Sequence, residues 1–284
     1  NLNHFINNLS FMSSESGSKN SLTIIIPTLN NVDGLNYLLN YFKNKQYEVI
    51  VVNNKKKNLG FAGGVNKGAK NVETKWMLIL NDDIEFREKN DTIQKLIQFA
   101  EENNLDAVTP ILRNPDGEVE NFGYKVLTCG KVKLIKEDYS LDSRLRGNDS
   151  KESGDDTGEH PSHPSIDGLT AACLLVKTEV FKKLGGFDES FFAYLEDIDF
   201  FLRLKALDPR LRGDDKPSFG IAYDIEVLHN HMTTTKTMGN FKARQDMINW
   251  WRLFLKHPKK FKFNLDFIVE RMRNVSGYIK ASFK

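Results

Sequence analysis

Residues 187 to 203 read Phe-Asp-Glu-Ser-Phe-Phe-Ala-Tyr-Leu-Glu-Asp-Ile-Asp-Phe-Phe-Leu-Arg and set Glu196, Asp197 and Asp199 within four positions. Three carboxylates this close repel one another on a buried surface unless a cation, a sugar hydroxyl or an arginine meets them. Carboxylates crowded among apolar groups also hold protons above their usual range, which suits acid–base chemistry. A helix start explains an isolated Glu-Asp-x-Asp just as simply, because acids complement the dipole and the first-turn amides. Three further segments shift the balance toward chemistry.

Asn81-Asp82-Asp83 follows the apolar run Trp76 to Leu80. Oxygen-rich side chains at the carboxyl end of a strand suit a hard divalent cation that bridges a diphosphate. Taken alone, the triplet is also an ordinary Asx turn. His229 and His231 follow the run Ile221 to Leu228, where an imidazole can serve the same cation. The third segment, Asn58-Leu-Gly-Phe-Ala-Gly-Gly-Val-Asn-Lys-Gly68, is a glycine-rich turn opening a helix and contains Gly60, Gly63 and Lys67. Glycines permit close backbone approach and a helix amino end attracts phosphate. The spacing fits neither the dinucleotide fingerprint nor the P-loop, and close helix–sheet packing explains the glycines equally well.

Elements must position these groups. Leu22 to Ile26, Glu48 to Val52 and Lys75 to Leu80 are short apolar runs that read as buried strands, with helical spacing near 33–44 and 62–71 between them. A helix near 91–104 and strands near 106–112, 171–177 and 221–228 complete the outline. Strand–helix alternation with fully apolar strands predicts an α/β fold, a parallel sheet covered on both faces. Ligands bind such sheets beyond the carboxyl ends of the strands. Thr28, Asn30, Asn53, Asn81, Asp82 and Asp83 therefore share one rim. Trp76, inside a strand, reads as core.

At 284 residues, 40% hydrophobic and 27% charged, the chain has material for one large domain with an appendage. Two cysteines, Cys129 and Cys173, make no disulfide framework or metal spacing and favour a reducing, cytoplasmic setting. No run approaches the ~20 apolar residues of a membrane span, and no secretory leader is legible. The first residue is Asn1 rather than Met, which leaves room for a preceding segment. Residues 1–20 are Asn- and Ser-rich and read as a tail, ahead of a main domain at 21–235. Residues 236–284 carry 12 Lys or Arg against three acids, although the whole chain is only +2. A basic end on a near-neutral body predicts an anionic partner there. The segment Trp250 to Lys256, followed by His-Pro-Lys-Lys-Phe-Lys, suits an anionic lipid surface, or equally an amphipathic helix packed on the domain. No nucleic-acid recognition motif accompanies the charge.

One repeat occurs: Leu141-Asp-Ser-Arg-Leu-Arg-Gly-Asn-Asp149 and Leu207-Asp-Pro-Arg-Leu-Arg-Gly-Asp-Asp215. Two copies do not make a repeat fold. Both read as surface inserts, within 139–165 and 207–219.

Taken in order, the segments resemble glycosyltransferase family 2, inverting enzymes of the GT-A fold, nearest its rhamnosyl- and galactofuranosyl-transferase-like branch. The matching pieces are Ile24 to Asn30, Val49 to Asn54, Asn58 to Gly68, Leu78 to Asp83, Gly185 to Arg203 and Val227 to His229. The resemblance implies a Rossmann-like, mostly parallel nucleotide-sugar-binding sheet flanked by helices, with 236–284 as a basic helical appendage. It implies a donor sugar linked to UDP or dTDP and a divalent metal, manganese or magnesium. The acceptor would be a hydroxyl of a cell-surface glycan or of a lipid-linked glycan, reached at the inner face of the cell membrane. Pro27, Thr28 and Asn53 fall at nucleotide-contacting positions, Asp83 with Asn81 or Asp82 at the metal motif, and His229 at the metal-ligating histidine. Asp197, paired with Glu196, falls at the catalytic base. Two features depart from the family pattern. Asn53 stands where the family has Asp, in a shortened Asn-Asn-Lys-Lys-Lys loop, and an amide brings no charge. The second insert also interrupts the approach to His229. A catalytically silent nucleotide-sugar-binding protein and a nucleotidyltransferase are the alternatives.

Overall fold

The computed structural model describes residues 21–87, 92–121, 123–135, 166–207, 219–230 and 240–283. The expected tail, His231 and nearly all of both inserts with their repeat lie outside the described residues. The chain runs β1 (Leu22–Thr28), α1 (Val32–Phe42), β2 (Glu48–Asn53), α2 (Gly60–Ala69), β3 (Trp76–Leu80), β4 (Ile84–Glu85), α3 (Thr92–Glu102) and β5 (Ala107–Arg113). It continues with β6 (Val119–Asn121), β7 (Gly123–Leu127), β8 (Lys131–Ile135), β9 (Cys173–Lys177), α4 (Thr178–Lys183) and α5 (Glu196–Ala206). The last elements are β10 (Phe219–His229), α6 (Phe241–Lys256) and α7 (Leu265–Ser282).

The main sheet is ordered β2-β1-β3-β9-β5-β10-β4, with β6 on β5, and β7 and β8 form a separate hairpin. All seven residues of β1 and all five of β3 are buried, as their apolar runs require for inner strands. The sheet is mixed rather than wholly parallel. β1, β2, β3, β5 and β10 share one direction, and β9 runs against both β3 and β5. The reason lies in the path of the chain. β5 delivers it to the carboxyl rim, where β6 and the β7–β8 hairpin are built. It re-enters the sheet from that rim at Cys173, opposite Leu80, and so must run backward.

Alternation along the strands divides the core into two layers. Ile24, Ile26 and Leu78 pack with Leu38 and Phe42 of α1 and Leu96 of α3. Ile25, Met77 and Ile79 pack on the other face with Ala62 and Val65 of α2, Phe181 of α4, Phe200 and Phe201 of α5 and Leu253 of α6. Phe200 and Phe201 are fully buried, each contributing roughly 2–3 kcal/mol of apolar burial. They fix the face that α5 turns inward, and with it the direction of the acids in its first turn. Among the described residues no helix is long and apolar enough to cross a membrane.

Candidate active site

A cavity of about 490 Å³ opens at the carboxyl rim, lined by the ends of β1, β3 and β10, the start of α5, the β7–β8 hairpin and the first turns of α6. Pro27, Thr28, Gly60, Asn81, Asp82, Asp83, Glu196, Asp197 and His229, all singled out by sequence, are brought together in its wall. Asn30, Asn53, Gly63 and Lys67 are not part of that wall. Asn53 is exposed and its Oδ1 accepts from the Lys55 amide at 2.8 Å, closing a turn. Asn54 takes the inward place. Its amide donates to Thr28 O at 2.8 Å and its Nδ2 to Gly60 O at 3.1 Å, its Oδ1 is buried without a hydrogen-bond partner, and the residue lines the cavity. Gly63 packs in α2, where a Cβ would sit 3.0 Å from Leu59 Cβ, and Lys67 is exposed.

The Asn81-Asp82-Asp83 turn is tied from two sides. Asn31, the N-cap of α1, accepts from Gly34 N at 3.0 Å and donates through Nδ2 to Asp82 O at 2.8 Å. Burial lifts the Asp82 carboxyl to about 6, against a hydrogen bond from Thr28, with Asp83 adding to the rise. β4 then pairs with the end of β10, Ile84 opposite His229, and Asn230 N donates to Asp83 O at 2.9 Å. This register carries His229 to Asp83: Nε2 lies 3.2 Å from Asp83 Oδ1, a charge contact without hydrogen-bond alignment. His229 Nδ1 meets Glu120 Oε2 of β6 at 2.8 Å. Burial pulls the imidazole down, but Asp83 and Glu120 together outweigh it and hold its pKa at about 9. The bulge in β10 between Ala222 and Glu226 leaves this register intact.

A carboxylate that fixes one ring nitrogen and leaves the other facing an acid is the arrangement that orients metal-binding histidines. Among the described residues no group of three His, Cys, Asp or Glu could hold a metal by itself. A single carboxylate completed by substrate phosphates and water is nevertheless a usual magnesium environment, and Asp83, whose buried Oδ1 makes no hydrogen bond, fits it, with the His229 imidazole beside it.

Across the cavity the chain reaches α5 through three residues with left-handed backbone, Phe192 (φ 62), Tyr194 (φ 68) and Leu195 (φ 69). Gly60 (φ 71) lets α2 dock on this loop: a Cβ there would lie 2.2 Å from Phe192 O, which also accepts from Ala62 N at 3.2 Å. The side chain of Asn249, fully buried on α6, donates to the carbonyls of Phe191 (2.9 Å), Ala193 (2.9 Å) and Tyr194 (2.8 Å). The loop ends at Glu196 and Asp197. Burial lifts both carboxyls, Glu196 to about 8 and Asp197 to about 6, and the charge of Asp197 adds to the rise of Glu196. Asp197 Oδ1 accepts from Ile198 N at 2.8 Å, while Glu196 Oε2 is buried without a partner. Tyr124 OH, equally buried and unpartnered, shares this wall, and burial together with Asp197 raises its pKa.

Asp199 has a different role from its neighbours. It is fully buried and faces away from the cavity lining, receiving Arg203 Nε at 2.8 Å, His257 Nε2 at 2.9 Å and Lys256 Nζ at 2.9 Å. Against the cost of burial these donors pull its carboxyl down to about 2. The third acid of the motif is thus a clasp that holds the end of α6 against α5. Phe241, Lys242 and Asp246 of α6 line the cavity, so the basic end also completes its wall. Sequence reasoning missed Asn54, Glu120, Tyr124, Asn249 and these three. Only Asn54 carried a signal, as the second amide of a doublet at a strand end.

The fold is a mixed α/β sheet with a cavity at the carboxyl rim of its strands. Residues 54–184, a little under half of the chain, match the model of glycosyl transferase family 2. Among curated proteins it is similar to the low-salt glycan biosynthesis hexosyltransferase Agl10 of Haloferax volcanii, 24% identical over 197 residues, covering 68% of this chain and 56% of that protein. It is also similar to the N-acetylglucosaminyl-diphospho-decaprenol L-rhamnosyltransferase of Mycobacterium tuberculosis, 28% identical over 127 residues, covering 44% of this chain and 39% of that protein. The chain thus spans about half or less of the length of these relatives. In fold it is like the crystal structure of S. aureus TarS, with a TM-score of 0.51 and 14% identity, over 93% of this chain and 44% of that one. The architecture is GT-A-like.

Proposed function

We propose that this chain moves a sugar from a nucleotide-sugar donor to a hydroxyl of a glycan or lipid-linked acceptor, with inversion at the anomeric carbon. One observation carries the reading. Of the eight buried side-chain polar atoms without a hydrogen-bond partner among the described residues, four, Asn54 Oδ1, Asp83 Oδ1, Tyr124 OH and Glu196 Oε2, belong to residues of one cavity wall. Native interiors leave few such groups unsatisfied, and four gathered in one cavity are what a bound ligand, ion or water would satisfy. The names of the two curated relatives, both hexosyl- or rhamnosyl-transferases of glycan assembly, support the same reading.

In this mechanism Thr28, Pro27 and Asn54 hold the nucleoside at the ends of β1 and β2, Asn54 standing in for the exposed Asn53. Asp83 and His229, with Asp82 and Asn81 behind them, would hold a divalent cation, magnesium or manganese, whose charge offsets that of the leaving diphosphate. Asp197 accepts the proton of the acceptor hydroxyl as its oxygen bonds to the anomeric carbon. The bond from that carbon to the diphosphate breaks, and its electron pair leaves on the diphosphate. Positioned proton removal of this kind contributes about 10²–10⁴ in rate. Burial raises the basicity of Asp197. The two cysteines, free and unpaired, and the nucleotide donor suit work on the cytoplasmic side of a membrane.

The test is thermal denaturation with UDP, dTDP and their sugars, with and without manganese or magnesium, followed by product analysis. A ligand specific to the folded state raises Tm. Stabilisation by one nucleotide family that needs the metal and vanishes in Asp83→Ala supports the reading, as does inverted product lost in Asp197→Asn. Absence of any shift sinks it. Release of pyrophosphate would point to a nucleotidyltransferase, and binding without transfer to a silent binding protein.

A further inference from the structure

The sequence drew attention to Trp250 to Lys262 as a lipid-facing segment, but there Trp250 and Leu253 are buried in the core. The open apolar surface lies one helix later. α7 is held to the body by Phe267, fully buried, and Arg271, 5% exposed. The Arg271 guanidinium lies 4.5 Å from the Trp250 ring and 4.8 Å from that of Phe267, and its Nη2 donates to Gly130 O in the β7–β8 turn. Leu265, Ile268, Val269, Met272, Val275 and Ile279 are all exposed, Leu265 by 74% and Met272 by 66%. At 100° per residue these six fall within an arc of about 120° that excludes Phe267 and Arg271. The helix therefore has two apolar sides: one is anchored, and among the described residues nothing packs on the other. Exposed contiguous apolar patches of this kind mark interaction surfaces.

Charge identifies the occupant. α7 is pinned to the β7–β8 turn, where Lys262 N also donates to Thr128 O at 2.9 Å. Residues 123–135 contain Lys125, Lys131 and Lys133 and no acid, and together with 256–283 they hold ten Lys or Arg against Asp266 and Glu270. Arg273 pairs with Glu270, Lys256 with Asp188 and Asp199, and Lys260 with Asp167, and Arg271 is buried, which leaves Lys125, Lys131, Lys133, Lys259, Lys262 and Lys280 to set the charge of this face. Leu127 and Leu134 of the hairpin are exposed beside these lysines. A second copy docking through this face would bring its own lysines against these. An anionic bilayer surface offers apolar depth and opposite charge together.

We propose that α7 and the β7–β8 hairpin form an interfacial docking surface for anionic phospholipid membranes. Val132 and Leu134 of the hairpin also line the cavity, so docking sets the cavity mouth beside the lipid surface. Its use in presenting a lipid-linked acceptor rests on the transferase reading; the docking itself does not.

The experiment is flotation of the full chain, without donor, on vesicles of phosphatidylcholine alone and of an equimolar mixture with phosphatidylglycerol. The protein is expected to float with the mixed vesicles at low salt and to be released by high salt. Met272→Glu combined with Ile279→Glu should weaken this at least tenfold, with the Tm and any nucleotide-induced shift unchanged. Lys131→Gln and Lys133→Gln should each weaken it about fivefold. Failure to float, equal flotation on both vesicles, or unaltered flotation of the double variant overturns the proposal. A concentration-dependent dimer abolished by the same pair of substitutions overturns it too, and assigns the face to a second copy. A chain that floats but transfers no sugar would leave the docking standing and the transferase reading refuted.

Discussion

Asn249→Ala tests how the acid pair is held in place. The amide has two hydrogens and serves three carbonyls at 2.8–2.9 Å. Phe191 O keeps a second donor, the Ala193 amide at 2.7 Å, so the loss falls on Ala193 O and Tyr194 O. Removing a donor from a buried carbonyl costs about 1–3 kcal/mol, which for two gives roughly 2–5 kcal/mol. For a domain of this size each kcal/mol lowers Tm by about 2–4 °C, so the variant should melt roughly 4–20 °C below the parent. The same loop stores strain, because three left-handed non-glycine residues cost about 1–2 kcal/mol each. Without the amide the loop can relax, carrying Tyr194 and the acid pair with it. A displacement of about 1 Å at a reacting group lowers rate by about 10². The expectation is therefore a large fall in kcat with donor binding nearly intact, read from transfer assays and nucleotide titration in parallel. Arg252→Ala is the control, since its Nη1 donates only to the outer Asn249 Oδ1, at 2.8 Å. Parent-like melting and parent-like turnover in Asn249→Ala would refute this account of how the loop is held.

Glu196→Gln removes the like charge beside Asp197. Both carboxyls are raised in the folded protein, so the pair favours folding while protonated and loses that contribution as pH rises above the unfolded carboxylate range. Glu196 titrates at about 8 and Asp197 at about 6, so Glu196 is still protonated where the base ionises. The variant should leave the rising limb of the pH–rate profile in place and be more stable than the parent at alkaline pH; a limb moved to lower pH would show that charge on Glu196 opposes ionisation of Asp197. Asp199 has the opposite sign. Its carboxyl is depressed to about 2, so its roughly 2 kcal/mol of stability is present above pH ~4 and lost as pH falls toward 2. Asp199→Asn should lower Tm at neutral pH and flatten the acid limb of the stability curve, measured by denaturation between pH 2 and 7. Gly60→Ala places a Cβ 2.2 Å from Phe192 O on a left-handed backbone. It should destabilise the fold by about 1–3 kcal/mol and impair transfer, and a neutral result would show that α2 and the loop can separate freely.

The sequence by itself determined the strands and helices of the sheet, because apolar runs as short as Trp76 to Leu80 have no stable place except a buried strand. It also determined the rim: whatever follows such strands gathers at their carboxyl ends, and Thr28, Asp82, Asp83 and His229 do so. It could not determine which of two adjacent side chains turns inward. Asn53 and Asn54 differ by one position at a strand end, and only the α2 packing against Gly60 selects Asn54. Nor could it separate Asp197 from Asp199, since both sit in the same helical turn with the same chemistry. That division depends on Lys256 and His257, more than fifty residues away, meeting one acid and not the other. The reversed β9, the Glu120 support of His229 and the Asn249 hold on the loop are likewise long-range contacts. They arise when the chain re-enters the sheet from its rim and when α6 folds back onto α5. Local pattern encodes burial, whereas partners distant in sequence are chosen by packing, and packing exists only in three dimensions.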